Sequence, residues 1–399
     1  MKLGLKIGLA VFLFLCVLAL GYVAVFVAES MRLTLILLGC AASVVIAGLV
    51  LGIILSRPLW LKLTFGFLVL VIAVAGLYGY FYGAAFMSNL NEGSVGTTAR
   101  NTASSTHAPM PTLEYVSEAP SDEEFDVEID DYVPAPDATP VPIYEQEPTA
   151  ENIVNILILG QDADRLYSGY GRSDVMLLVS YNRVEGTIKL LSFMRDTYVP
   201  IEGFSWNRLN TCLRFGGPGL IINTLNELFE LDIQNYVTLA FDEFKTLVDS
   251  IGGIDIELSR AEARHAGASW AGEGEKTHLT GAQALRFVRN RSIGRGDFSR
   301  TDRHRRFMTA LYSQIREDLS VVSLLNLINF SKDYVRTNLS FSDITELGLE
   351  LLDGPSISIE TASMPFDGTW SYARVNGASV LPIDIDANRD KIHEYLYGE

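Results

Sequence analysis

The sequence predicts a single three-layer α-β-α domain with a central mixed sheet, preceded by three membrane-spanning helices and a disordered acidic linker. Three observations carry that prediction. Residues 7–28, 33–55 and 63–87 are apolar runs, each longer than the roughly 20 residues a helix needs to cross a bilayer core. Residues 88–151 open with Ser, Thr, Asn and Gly, then turn acidic and proline-rich. From residue 152, short apolar runs alternate with stretches of helical periodicity, as in an α/β domain whose sheet is covered on both faces. The 399 residues thus divide into 1–87, 88–151 and 152–399.

The basic residues flanking the apolar runs give an orientation. Lys2 and Lys6 precede the first run, and Arg57 and Lys62 lie between the second and third. The N-terminus is then cytoplasmic, and three crossings put everything after Met87 outside. Tyr78, Tyr80, Phe81 and Tyr82 fall where an outer aromatic belt would sit. In the linker, Glu123, Glu124, Asp126, Asp130 and Asp131 repel one another and the prolines stiffen the chain, so it reads as an extended spacer. A short structured piece over 125–132 remains open.

Within the third part, 153–159, 175–180 and 187–193 read as strands, with a turn over 182–186 between the last two. Pro218 begins a helical pattern through Leu220, Ile221, Leu225 and Leu228. Residues 236–240 read as a strand, 241–250 as a helix ended by Gly252 and Gly253, and 254–258 as a strand. Helices are expected over 280–288, 301–319, 321–330 and 391–397, and a strand over 356–361. Cys16 and Cys40 lie in the apolar runs and Cys212 in the outer part, so no disulfide staples the domain.

The chemistry is expected at the ends of these elements. The net charge is −17, yet eight arginines and no lysine fall between Arg286 and Arg306. Arginine alone suggests forked recognition of phosphate or carboxylate, because guanidinium donors are planar and stay charged. The external placement and the acidic chain argue against nucleic acid as the partner. Asp162 follows the first strand, Arg172 and Asp174 precede the second, and Arg195 follows the third. Asp162 and Asp174 are hard oxygen donors of the kind Mg²⁺ takes beside substrate phosphates. Arginines would hold the non-bridging oxygens of a pyrophosphate. Taken singly, each residue is as well explained by a turn or a surface ion pair. Arg305 and Arg306 read as surface groups, and Arg286 and Arg295 are undecided.

The motifs in order are NILILGQD at 155–162, RSD at 172–174, RDT at 195–197, FGGP at 215–218, VDSIGGID at 248–255, QALRFVRNR at 283–291 and GDFSR at 296–300. Together they resemble the LytR-CpsA-Psr family from about residue 152 to 319. The resemblance implies a phosphotransferase that moves a glycopolymer from a polyprenyl pyrophosphate carrier to peptidoglycan, at the 6-hydroxyl of N-acetylmuramic acid. It implies Mg²⁺, with Mn²⁺ as an alternative, on Asp162 and Asp174. It also implies pyrophosphate contacts from Arg172, Arg195, Arg289, Arg291, Arg300 and Arg303. Asp162, Asp174 and Arg195 would be catalytic, with either aspartate as base. The chain departs from the family at Asp164, where arginine is usual and Arg165 stands next door, and at Met194, where proline is usual.

A polyprenyl tail needs an apolar slot. Leu220, Leu225, Leu228, Phe241, Phe244, Leu247, Phe287, Phe307 and Leu311 are candidates for it or for ordinary core. Cys212 shows no pairing with a histidine that would make it a nucleophile, while His304 lies within reach of a phosphate in the arginine stretch. Two rival functions remain: hydrolysis of the same pyrophosphate, and a non-enzymatic regulatory role.

Overall fold

The computed structural model describes residues 97–98, 109–120, 125, 127, 129, 140–161, 170–318, 335–353 and 357–398. The chain forms two compact units, Met1–Ser88 and Asn89–Glu399, and every described element belongs to the second. The three apolar runs lie outside the described residues. Among the described residues no helix is long and apolar enough to cross a membrane.

In chain order the strands are β1 (Thr97–Thr98), β2 (Glu114–Val116), β3 (Ile143–Tyr144), β4 (Ile153–Gln161), β5 (Ser173–Asn182), β6 (Thr187–Phe193), β7 (Thr197–Pro200), β8 (Trp206–Arg208), β9 (Asn235–Ala240), β10 (Ile254–Leu258), β11 (Glu275–Leu279), β12 (Arg336–Thr337), β13 (Ser358–Met364), β14 (Tyr372–Val375) and β15 (Ala378–Pro382). The helices are α1 (Thr211–Phe229), α2 (Phe241–Ser250), α3 (Arg260–Ala266), α4 (Gly281–Arg289), α5 (Asp297–Asp318), α6 (Phe341–Asp353) and α7 (Ile385–Tyr397).

The central sheet has six strands in the order β12-β9-β4-β5-β6-β13. It is mixed: β4 runs antiparallel to β5 and parallel to β9, and β6 runs antiparallel to β5 and parallel to β13. Because side chains alternate across a strand, each face has its own apolar set. Leu157, Leu159, Met176, Leu178, Leu191 and Phe193 pack on one face against α1 and α7. Leu177, Ile188 and Leu190 face the other way, with Met308, Tyr312 and Leu351 from α5 and α6 packed over them. That two-sided burial is why the central strands read as continuous apolar runs.

The helix expected to begin at Pro218 begins earlier, at Thr211, but is broken at Gly216 and Gly217. Gly217 takes φ 70°, which favours glycine, and Pro218 starts the second half without needing a donor. The kink receives the incoming chain. Val141 N donates to Gly216 O at 2.9 Å, and Asn223 Nδ2 donates to Pro142 O at 2.8 Å. A Cβ on Gly219 would meet Val141 O at 1.8 Å, so only glycine fits there.

Part of the segment predicted as a disordered spacer is therefore built into the domain. Ile143 is fully buried in the main core, β2 pairs with β14, and Arg208 Nη1 donates to Val127 O at 2.9 Å. The spacer reading gave weight to charge and proline over the few apolar side chains, Leu113, Ile129 and Ile143, that anchor it.

A second sheet, order β2-β14-β15-β7-β8, was not anticipated from the sequence. Its strands are short; β14–β15 and β7–β8 are local hairpins, and the pairings of β2 with β14 and of β15 with β7 join distant parts of the chain. The antiparallel pair β10 and β11, with helix α3 between them in the chain, and helix α4 make a satellite core around Ile254, Ala263, Leu279 and Phe287. The helix expected over 321–330 lies outside the described residues. Helix α7 runs through 391–397 as expected but starts earlier, where Asp384 caps it by accepting from Ala387 N.

Candidate active site

Strand register gathers charge at one end of the central sheet. Gly160 lies opposite Val175 and Leu177 opposite Ser192, so the end of β4, the start of β5 and the end of β6 meet. Asp174 and Arg195 emerge there side by side. Arg195 Nη1 donates to Asp174 Oδ1 at 3.1 Å, and its Nε donates to Asp196 Oδ2 at 3.1 Å. At Arg195 and Asp196 the chain leaves the central sheet for the second one. Asn210 N donates to Arg195 O at 3.1 Å and Leu381 N to Asp196 O at 2.9 Å, pinning the backbone of the pair from both sides.

The arginine stretch approaches from the helices. Helix α4 ends at Arg289, a turn follows, and α5 starts at Asp297. Arg291 Nη2 lies 3.5 Å and Arg300 Nη1 3.8 Å from Asp174 Oδ2. Arg300 Nη2 lies 2.8 Å from Asp297 Oδ1, and Arg195 Nε lies 3.6 Å from the same oxygen. Asp297 sits in the first helical turn, where the helix dipole favours a negative charge. Three guanidiniums and three carboxylates thus interlock with little access to water.

The electrostatics follow from that packing. Burial alone would raise the Asp174 carboxyl, but Arg300, Arg195 and Arg291 outweigh it and hold it down at about 2. Burial would lower Arg195, but Asp196, Asp297 and Asp174 raise it above its ordinary value. For Asp196 burial dominates and pushes the carboxyl up, against the pull of Arg195.

Beneath the cluster lies a cavity of about 830 Å³. Its mouth carries Arg172, Asp174, Arg195, Arg289, Arg291 and Arg300. Its interior is apolar, walled by Val237 and Leu239 of the sheet, Phe244 and Leu247 of α2, Leu311 of α5 and Leu347 of α6. The Arg289 guanidinium lies over the Phe241 ring, 4.1 Å from its centroid, and is exposed. Such a site suits an amphiphile with an anionic head and a long apolar tail.

Comparison with known proteins agrees with this geometry. The profile of the LytR_cpsA_psr family matches residues 118–392. The chain belongs to this family. Among its relatives is the polyisoprenyl-teichoic acid–peptidoglycan teichoic acid transferase TagU of Halalkalibacterium halodurans, 32% identical over 237 residues, covering 59% of this chain and 75% of that protein. The regulatory protein MsrR of Staphylococcus aureus is 26% identical over 246 residues, covering 61% of this chain and 74% of that protein. Among solved structures, B. subtilis TagV is 25% identical with a TM-score of 0.51, covering 62% of this chain and 98% of that one. TagT bound to LIIa-WTA, 23% identical with a TM-score of 0.51, shares the fold and covers 66% of this chain and 99% of that one.

Of the family-type site residues, Arg172, Asp174, Arg195, Arg289, Arg291 and Arg300 come together. Asp162, Asp164 and Arg165 lie outside the described residues. Arg303 is not brought to the cluster. Its Nε donates to Glu262 at 2.9 Å, Nη1 to Asn290 O at 2.9 Å and Nη2 to Ile293 O at 2.8 Å. Arg306 also engages Glu262, at 2.9 Å, and Arg286 donates to Ala266 O at 3.3 Å at the end of α3. Arg305, expected on the surface, has a side chain only 12% exposed, beside Asp302.

His304 lines the cavity and is buried; burial lowers it to about 3, so it is neutral and bonded to Val288 O at 3.1 Å. Burial pushes the Cys212 thiol up to about 12, and its neighbour is Thr224, so it is an inert core group. Of the slot candidates, Phe241, Phe244, Leu247, Phe307 and Leu311 line the cavity. Leu220, Leu225 and Leu228 instead pack on the opposite face of the sheet, and Phe287 in the satellite core.

Sequence reading gave no role to Asp196, Asp297 and Arg208. Asp297 was signalled by its i,i+3 spacing to Arg300. Arg208 Nε lies 3.8 Å from Asp196 Oδ1 and donates to Ser379 O at 2.9 Å, and nothing local announces it.

Among the described residues no three acidic, histidine or cysteine side chains are arranged to hold a divalent cation by themselves, although single donors have the right chemistry. Asp174, Asp196 and Asp297 are hard oxygen donors, and Asp196 Oδ1 is buried with no hydrogen-bond partner. The carboxylate of Asp174 is held by guanidiniums, so an ion there must share it with them.

Proposed function

We propose that this chain is a phosphotransferase that moves a glycopolymer from a polyprenyl pyrophosphate carrier to peptidoglycan. The observation that carries the reading is the joining of an apolar cavity to a mouth of arginines. A polyprenyl tail fills the first, and a pyrophosphate meets the second. The name of the TagU relative states the same reaction class for that protein.

In this reading the exposed Arg289 and the half-buried Arg291 grip the phosphate oxygens. Arg195 and Arg300, fixed by Asp174, Asp196 and Asp297, are already oriented when charge develops on the transferring phosphoryl group. The acceptor hydroxyl, by family resemblance the 6-hydroxyl of N-acetylmuramic acid, forms a bond to the sugar-side phosphorus. The bond from that phosphorus to the bridging oxygen breaks, and polyprenyl phosphate leaves, its freed oxygen taking up the proton that the hydroxyl gives up. A carboxylate held near 2 is a weak proton acceptor, so Asp174 positions arginines and is poorly suited to be the base. Asp174 with Asp162 would hold Mg²⁺, which would neutralise phosphate charge. The apolar runs ahead of the domain would form three membrane spans, with the catalytic domain at the outer surface.

The test uses the full-length protein in detergent, a lipid-linked glycopolymer and peptidoglycan fragments. Wild type should yield polymer joined to the fragment through phosphate, and the Arg289→Ala and Arg291→Ala variants should yield far less. Soluble phospho-polymer formed equally well with and without acceptor would sink the transferase reading in favour of hydrolysis.

A further inference from the structure

Next to the arginine cluster, but outside the cavity, three aromatic rings meet. Phe298 and Trp370 lie 5.1 Å apart between centroids, inclined at 35°, and Trp370 and Tyr372 lie 4.9 Å apart, edge to face. The Arg295 guanidinium lies 5.1 Å from the Phe298 centroid. All three rings are partly exposed, and Arg295 is exposed. None of the four lines the cavity.

The backbone fixes this group rigidly. Phe298 follows Asp297 at the head of α5, two residues before Arg300. Trp370 bridges to Ile383, and Ser371 N donates to Pro382 O at 3.2 Å. Trp370 and Tyr372 are two residues apart on an extended chain, so they share a face. The opposite face holds Ala373 and Val375, which pack with Tyr198 and Val380 in a small core. The sheet therefore has its core on the other side, and the ring-bearing side is left partly open.

From this contiguity we propose that Phe298, Trp370, Tyr372 and Arg295 form a saccharide subsite for the first sugar of the donor, the one bonded to the pyrophosphate. This rests on reading the arginine cluster as a pyrophosphate grip. The lipid end of the donor enters the cavity, so the sugar end leaves the arginines by another side. The platform adjoins the same arginines. A pyranose presents a face of C–H groups that packs on aromatic rings, while its hydroxyls accept hydrogen bonds from a guanidinium.

The test titrates the full-length protein in detergent with undecaprenyl pyrophosphate and with its N-acetylglucosaminyl ester. Wild type should prefer the ester by about tenfold, the equivalent of one good stacking contact. Trp370→Ala should lose that preference and keep its affinity for undecaprenyl pyrophosphate, and Trp370→Phe should retain both. Tyr372→Ala should also lose the preference.

A preference that survives in both alanine variants overturns the proposal, as does its absence from wild type. If Trp370→Ala keeps the donor preference but raises KM for the peptidoglycan fragment, the platform serves the acceptor and the proposal fails in that way. Wild type that binds neither probe removes the pyrophosphate grip itself, and the subsite with it.

Discussion

Arg303 Nε donates to Oε1 of Glu262 at 2.9 Å, joining α5 to the first turn of α3 across 41 residues. Both side chains are buried, at 3% and 7% exposure. With its other two nitrogens on Asn290 O and Ile293 O, Arg303 holds the turn that presents Arg291. Removing it leaves Glu262 partly uncompensated, although Arg306 still reaches it. Arg303→Ala should lower stability by about 3 kcal/mol, read from urea unfolding. A variant as stable as wild type that has lost only pyrophosphate affinity would show that Arg303 is a substrate ligand after all.

Arg289 makes the opposite prediction. It is exposed and rests on Phe241, so Arg289→Ala should leave the unfolding midpoint within about 0.5 kcal/mol of wild type. Transfer should fall by about a hundredfold, the usual loss for one oriented cationic or hydrogen-bond donor at a reacting centre. A large loss of stability without a change in activity would contradict this assignment.

In acid His304 and Asp174 weaken the fold, while Asp196, whose carboxyl burial raises, opposes them between its raised and its ordinary value. His304 is neutral in the folded protein down to about 3, while in the unfolded chain it protonates near its ordinary 6.5. Unfolded chains therefore take up a proton that folded ones refuse, and stability declines as pH falls through that interval. Asp174 adds to the loss between its ordinary 3.8 and about 2, where the ion pairs with Arg300, Arg195 and Arg291 are finally protonated away. His304→Gln keeps a donor for Val288 O and should flatten the slope between about pH 6.5 and pH 5. Unfolding midpoints measured across that range in both proteins decide it, and parallel slopes would remove His304 as the cause.

Narrowing the cavity should discriminate by tail length. Leu247→Trp or Leu311→Trp adds bulk to an apolar wall. Turnover of a long-chain polyprenyl donor should drop by about tenfold or more, while a donor with a short prenyl tail should be used almost as before. Equal losses on both donors would mean that the tail does not occupy this space.

Magnesium can be tested without turnover. If Asp174 takes part in holding the ion, Mg²⁺ should raise the thermal midpoint of wild type by mass action and leave Asp174→Asn unchanged. An identical shift in both proteins would place the ion elsewhere.

The central strands were legible because β4, β5 and β6 are buried on both faces and so appear as apolar runs. Asp174, Arg195, Arg291 and Arg300 were legible because they stand at the ends of those runs or cluster densely in sequence. The second sheet was not, since Thr197–Pro200, Trp206–Arg208 and Tyr372–Val375 are only three or four residues long, and the pairings that join its two hairpins and β2 into one sheet are between distant segments. Arg303 shows another limit. It lies three residues from Arg300 on one helix, yet their long side chains fan apart to Glu262 and to Asp174. Local spacing placed both on adjoining parts of α5 and could not say which carboxylate each would find.

The seam between the incoming chain and helix α1 has a mechanical side. Tension drawn along the chain from residue 140 arrives as shear on three hydrogen bonds, Val141 to Gly216, Pro142 to Asn223 and Asn223 to Tyr144. Shear loads such bonds together, whereas peeling would break them one by one. A pull on that chain would thus load the kinked helix α1, whose N-cap residue Asn210 also accepts from Ser173 N of β5 at 3.1 Å, next to Asp174.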